Sequence, residues 1–242
     1  MKKLGIIAGG FKPFHVGHFS KVCLAMQECD HVIISFGKGE RKKGSELFYS
    51  RDMCQEVFPI VSQSLFESFG EKITTKIADV SPVRDVFGII AARAFTPFED
   101  DIGYDVDFIK SFDSLTVYGS EDDAEKYTRH FGTDKEEKYF GDLVTNNQLF
   151  FETDSQFDKS ADALNNNKHY HGQDWHFWDR LRVSQTRGTD VRLAVVQDDF
   201  NTFSNLMPSI LSDQQKQNLF NILKGGVNES AWCTYILTCR RS

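Results

Sequence analysis

The chain has no C-x-x-C pair, no internal repeat and no apolar run near the ~18 residues that a membrane-spanning helix needs. Its cysteines (Cys23, Cys29, Cys54, Cys233 and Cys239) are odd in number. Without paired spacing, neither a zinc ribbon nor a thioredoxin-like redox motif is signalled. The expectation is reduced, mostly buried thiols in a cytoplasmic compartment. Nothing reads as a bilayer span, so no membrane partner is expected. Positive charge is also short: 28 Lys and Arg stand against 35 Asp and Glu, a net charge of −7. That balance argues against a nucleic-acid partner, yet it leaves room for a local basic pocket that holds a phosphate. A G-x-S-x-G nucleophile elbow is missing too, which only matters for chemistry that needs a protein nucleophile.

What is present is an ordinary globular composition over 242 residues, 40% hydrophobic and 26% charged, with 22 phenylalanines that point to a Phe-packed core. The opening "MKKLGIIAGG" has the lysines of a secretory signal. Its apolar run is too short and stops at Gly-Gly, so residues 4–8 read as a buried strand. Residues 17–29 carry apolar side chains at helical spacing, and "HVIISF" at 31–36 is a second buried strand. Strand, helix and strand in that order predict parallel pairing. Further along, 50–66 and 82–95 read as helices and 72–80 and 115–118 as strands. "FTPFEDDIGYDVD" reads as an acidic loop, "QLFFE" as a strand, and 198–205 and 212–224 as helices. The fold class expected is α/β, a Rossmann-like open parallel sheet with helices on both faces. The whole of 1–242 reads as a single domain, with a polar insertion around 154–180 and a C-terminal helical region around 198–226. "WCTYILT" at 232–238 reads as a late strand, an edge on which a homo-oligomer could form.

The stretch "GGFKPFHVGHFSKV", residues 9–22, places His15 and His18 where the first strand gives way to the first helix. Such a pair can be a helix cap or half of a metal site. In open α/β sheets, however, ligands bind at the carboxyl ends of the strands. A helix N-terminus there offers backbone N–H groups and the positive end of a dipole, both suited to phosphate. Gly9 and Gly10 allow close approach of the backbone, and Pro13 stiffens the turn. Imidazoles at this point can donate hydrogen bonds to phosphate oxygens, with added charge if protonated.

The stretch resembles the H-x-G-H signature of the nucleotidyltransferase superfamily. "GGFKPFHVGH" is similar to the G-x-F-x-P-x-H-x-G-H form of nicotinamide-nucleotide and phosphopantetheine adenylyltransferases, with Lys12 where the archaeal type usually has Gln. The resemblance implies transfer of a nucleoside monophosphate, AMP from ATP in the first instance, to a phosphate-bearing acceptor such as nicotinamide mononucleotide. It implies that His15 and His18 stabilise charge on the phosphates. Gly9, Gly10, Phe11, Lys12 and Gly17 would line the nucleotide, and Mg²⁺ would arrive with the triphosphate, with no metal site on the protein itself. The family's second motif, roughly I-S-[SGA]-T-x-x-R, has two alignments in "VSQTRGTDVR". One runs through Ser184 and Thr186. The other runs through Gly188, Thr189 and Arg192, with Thr189 as helix N-cap, Arg192 in the first turn and Arg187 nearby. Gly119 and Asp122 in "VYGSEDD" resemble the family's G-x-D near the nucleotide. For the acceptor, Arg41 in the basic loop, Arg84 in "SPVRD", and Trp175 and Trp178 as stacking surfaces are the candidates. His169, His171 and His176 lack a cysteine or clear carboxylate partner for zinc. A cytidylyltransferase using CTP is an alternative, though its usual R-T-x-G-I-S-T-T is missing. A nucleotide-binding protein without turnover is another. An aminoacyl-tRNA synthetase is disfavoured by the short chain, the acidic balance and the lack of K-M-S-K-S.

Overall fold

In the computed structural model, residues 1–40, 47, 49–94, 103–119, 143, 148–152 and 186–227 are described. The strands are β1 (Lys3–Gly9), β2 (His31–Phe36), β3 (Ile73–Ile77), β4 (Ser114–Tyr118) and β5 (Leu149–Glu152). All pair in parallel, in the order β3-β2-β1-β4-β5. The expected α/β fold with a parallel sheet is therefore what the chain adopts. The described helices are α1 (Val16–Glu28), α2 (Arg51–Phe69), α3 (Pro82–Ala94), α4 (Val106–Lys110), α5 (Gly188–Val196), α6 (Phe200–Leu206) and α7 (Asp213–Lys224). None is long and apolar enough to cross a membrane.

β1 and β2 are central strands, so both their faces must be apolar. Alternation sends Leu4, Ile6 and Ile33 to one face, where they pack with Val86, Ile89 and Ile90 of α3 and Ile109 of α4. Ile7, Val32, Ile34 and Phe36 face the other way, against α1, α2, α5, α6 and α7. The helical stripe read from the sequence holds: Phe19, Val22 and Cys23 are buried in this second layer and Met26 packs at its margin. Cys23, Cys29 and Cys54 are buried free thiols.

Some boundaries differ. α2 runs through Pro59 to Phe69, and β3 is shorter than the apolar alternation suggested. The acidic stretch ends not as a loop but as α4, because the Asp105 carboxylate caps it, accepting from the N–H groups of Asp107 at 2.9 Å and Phe108 at 3.3 Å. The insertion at 154–180 and the late strand at 232–238 lie outside the described residues.

The sheet order has one consequence for function. The chain leaves β1 toward β2 and β3 on one side, then returns to β4 on the other. The carboxyl ends of β1 and β4 therefore flank a topological switch point, where connecting loops diverge and leave a crevice. The β1–α1 connection opens directly onto it.

Candidate functional site

β1 ends at Gly9, and the chain turns through Gly10, Phe11, Lys12 and Pro13 before α1. Phe11 has φ of +42°, a left-handed conformation that costs a bulky side chain energy. Packing holds it there. Its ring meets Phe14, His18 and Phe36 edge-on at centroid distances of 5.5, 4.9 and 4.8 Å. A Cβ on Gly9 would lie 2.8 Å from the Phe11 ring, so the glycine is what lets the ring fold back over the strand end. At the end of β2, the Gly37 N–H donates to the Gly9 carbonyl at 2.9 Å. Lys12 Nζ donates to the Gly39 carbonyl, tying the turn to the segment after β2.

The histidines are held by their own main chain. His15 is the N-cap of α1, and its Nδ1 accepts from the Gly17 N–H at 3.1 Å. His18 Nδ1 accepts in return from the His15 N–H at 3.3 Å. This is a capping box built from imidazoles in place of Ser and Glu. The rings lie against each other, with centroids 3.8 Å apart and planes tilted by 33°. With Nδ1 of each ring acting as acceptor, the hydrogen-bond pattern assigns the ring proton to Nε2. Each histidine is left with one N–H to donate.

Burial keeps both rings neutral. His15 is pushed down to about 3, first by burial and then by the charges of Lys21 and Arg192. His18 falls well below the ordinary histidine value, through burial, then His15 and Lys21. The extra positive charge that the sequence reading allowed is thus suppressed, because protonating Nδ1 would set an N–H against the N–H it now accepts from.

A stability signature follows. The folded-state pKa of His15 lies below its unfolded value of about 6.5, so the unfolded chain binds the extra proton. The contribution of His15 is complete above pH 6.5 and is lost as pH falls toward about 3. The limiting slope is about 1.4 kcal/mol per pH unit. His15→Asn keeps a capping acceptor and removes the titration. Urea midpoints at pH 7, 6 and 5 are expected to fall less steeply for the variant than for the native chain; parallel falls would contradict the assignment.

α5 brings the second motif to the first. A Cβ on Gly17 would lie 3.0 Å from the Thr186 carbonyl, so the first turn of α1 sits directly against the segment entering α5. The N-cap of α5 is Arg187, not Thr189 as expected. The reason is Asp190, whose carboxylate reaches back to accept the Arg187 N–H at 2.8 Å. Thr189 lies inside the first turn and accepts from Arg192 Nη2 at 2.9 Å. Arg192 is in the second turn rather than the first, and only 3% exposed. Its Nη1 donates to the Lys12 carbonyl at 2.8 Å. Gly188 makes room for this bridge: a Cβ there would stand 3.1 Å from Arg192 Nη1 and 3.3 Å from the Lys12 carbonyl.

Gly9, Gly10, Phe11, Lys12, His15, Gly17 and His18 therefore form one turn, and Arg187, Thr189 and Arg192 belong to the helix packed on it. Gly119 follows β4 directly, on the far side of the switch point, its N–H donating to the Glu152 carbonyl at 3.0 Å. Arg84 is exposed in the first turn of α3. Arg41, Asp122, Trp175, Trp178, Ser184, His169, His171 and His176 lie outside the described residues. Sequence reasoning passed over Gly37, for which "GKG" after β2 was the available signal.

No family model matches the chain, and no curated protein does. Among solved structures, it is similar to a bifunctional NMN adenylyltransferase/ADP ribose pyrophosphatase from Francisella tularensis, with 12% identity and a TM-score of 0.46, over 100% of this chain and 56% of that one. It is also similar to TmcAL of Thermotoga maritima bound with alpha-thio ATP, with 13% identity and a TM-score of 0.39, over 95% of this chain and 56% of that one. The chain thus spans little more than half the length of either.

Proposed function

We propose that this protein is a nucleotidyltransferase that moves a nucleoside monophosphate, AMP from ATP foremost, to a phosphate-bearing acceptor such as nicotinamide mononucleotide. The observation that carries the reading is the paired neutral imidazoles at the N-terminus of α1, at the switch point of a parallel sheet, with a buried arginine bridged onto the same turn.

The chemistry asked of such a site is positioning and charge stabilisation. An oxygen of the acceptor phosphate attacks the α-phosphorus. The bond from that phosphorus to its bridging oxygen breaks, and pyrophosphate leaves with the electron pair. His15 and His18 would each donate an Nε2–H to phosphate oxygens as charge develops there. The positive end of the α1 dipole acts in the same direction. Arg192, with the exposed Arg187, would hold the β- and γ-phosphates. The turn at Gly9, Gly10 and Phe11 would meet the nucleotide with backbone groups. Mg²⁺ would arrive on the triphosphate oxygens.

One feature favours a second reading, a nucleotide-binding module without turnover. The Arg192 guanidinium is already bonded to protein acceptors. Pyrophosphate release with Mg²⁺ separates the two. ATP, CTP, GTP and UTP are each offered with nicotinamide mononucleotide, phosphopantetheine and glycerol 3-phosphate. Release with ATP and one acceptor is the expected result. Release only with CTP would make the protein a cytidylyltransferase. Triphosphate binding without release would leave a binding module, and no binding at all would end the reading.

A further inference from the structure

The proposed transfer needs positive charge, and the groups at the histidine turn supply less of it than their residue types suggest. Both imidazoles are neutral. The Lys12 ammonium donates to the Gly39 carbonyl, and the Arg192 guanidinium to the Lys12 carbonyl and Thr189 Oγ1. A phosphoryl group in transfer spreads charge over its non-bridging oxygens, and a cation aimed there does more than a neutral donor.

Lys21 is placed to supply that cation. It stands three residues after His18 in α1, so the two share a face of the helix, about 4.5 Å apart along its axis. Side chains in a helix lean toward its N-terminus, which sends the lysine stem back toward the histidines. Lys21 is half-buried, while Ser20 and Val22 on either side of it are fully buried. Its charge is among the causes that hold His15 and His18 neutral.

The direction in which this face looks is set further along α1. Glu28 follows Lys21 by seven residues, close to two turns, and so lies nearly in line with it. Its Oε2 accepts from the hydroxyl of Tyr118, the last residue of β4, at 2.7 Å. The Cys29 Sγ lies 3.4 Å from the same hydroxyl. A Cβ on Gly5 of β1 would meet both residues, 3.2 Å from Cys29 Sγ and 3.4 Å from Tyr118 Cε2. The flank of α1 that carries Lys21 is therefore turned toward β4. Nearer the N-terminus of α1, that flank borders the crevice between the carboxyl ends of β1 and β4.

We infer that Lys21 is a further catalytic residue of the proposed transfer, its ammonium meeting the non-bridging oxygens of the α-phosphate from the β4 side. The inference rests on the nucleotidyltransferase reading. Lys21 keeps its protons throughout; the bonds made and broken are those at the α-phosphorus alone. The charge it faces grows as the bond to pyrophosphate breaks, so its loss falls on kcat more than on KM.

The test is pyrophosphate release by Lys21→Met and Lys21→Arg beside the native chain, with Mg²⁺, ATP and the acceptor the native chain uses. Calorimetric titration of a non-hydrolysable ATP analogue accompanies it. Methionine keeps an unbranched stem and removes the charge, and both replacements are good helix formers. Lys21→Met is expected to lower kcat by about 10²-fold. The KM for ATP and the affinity for the analogue are expected to stay within about three-fold of native. Lys21→Arg, which restores a cation, is expected to recover about ten-fold of the lost rate. A Lys21→Met kcat within about ten-fold of native, an equal loss in both variants, or a loss confined to KM would each overturn the inference. If the native chain releases pyrophosphate and Lys21→Met matches it, the lysine's role falls and the nucleotidyltransferase reading stands. If the native chain releases none with any acceptor, both fall. Urea unfolding identifies a variant that is not folded, and Lys21→Gln then takes the place of Lys21→Met.

Discussion

Replacing His18 by alanine is expected to lower the rate of pyrophosphate release by about 10²–10³-fold, the usual cost of deleting one donor aimed at developing charge. The effect has two parts that can be separated. The ring supplies an Nε2–H, and its Nδ1 accepts the His15 N–H at 3.3 Å. Alanine removes both, so about 1 kcal/mol of folding stability should go with the activity. His18→Asn restores an acceptor for the His15 N–H without restoring the imidazole donor. Its unfolding midpoint is expected near that of the native chain, and its rate near that of the alanine variant. Steady-state pyrophosphate release beside urea unfolding reads both quantities. A His18→Ala protein within ten-fold of native turnover would remove the imidazole pair from the chemistry.

Arg192 is expected to show the other large effect. Its guanidinium joins Thr189 Oγ1 and the Lys12 carbonyl, at 2.9 and 2.8 Å, while almost wholly buried. Lysine cannot reproduce two donors in a fixed fork. Arg192→Lys is expected to cost about 2 kcal/mol of stability, the scale of one lost charge-assisted hydrogen bond. If the guanidinium also holds the β- and γ-phosphates, turnover should fall by about 10²-fold and the KM for the triphosphate should rise. If it only pins α5 to the β1–α1 turn, the folded variant should keep the native KM. The unfolding curve fixes the folded fraction, so the kinetic comparison is per folded molecule.

The central sheet was legible because its strands are buried on both faces. "LGIIA" carries no polar side chain and "HVIISF" keeps four apolar residues among its six, and Phe19, Val22 and Cys23 repeat at helical spacing. Local hydrogen-bonding chemistry was less legible. Asp105 starting a helix inside an acidic run depends on one carboxylate turning to two nearby N–H groups. The N-cap of α5 is set by Asp190 reaching back, so the residue type at the cap itself, Arg187, carried no signal. The neutral state of the histidines depends on Nδ1 accepting main-chain N–H groups, which only the folded turn reveals. Strand order lay beyond any local pattern. So did the meeting of Ser35 with Asp85, 50 residues apart in the chain. The histidine turn itself was legible because its signal is contiguous.

The bridge from Arg192 to the Lys12 carbonyl joins residues 180 positions apart. On a ribosome adding about 5–20 residues each second, the histidine turn is made on the order of ten seconds or more before the arginine that is bridged onto it. Closing so long a loop comes late in folding, after the local βαβ unit has formed. During that interval the nascent chain carries the imidazole half of the site without its arginine. On the proposed reading, capture of triphosphate would then wait on this late contact.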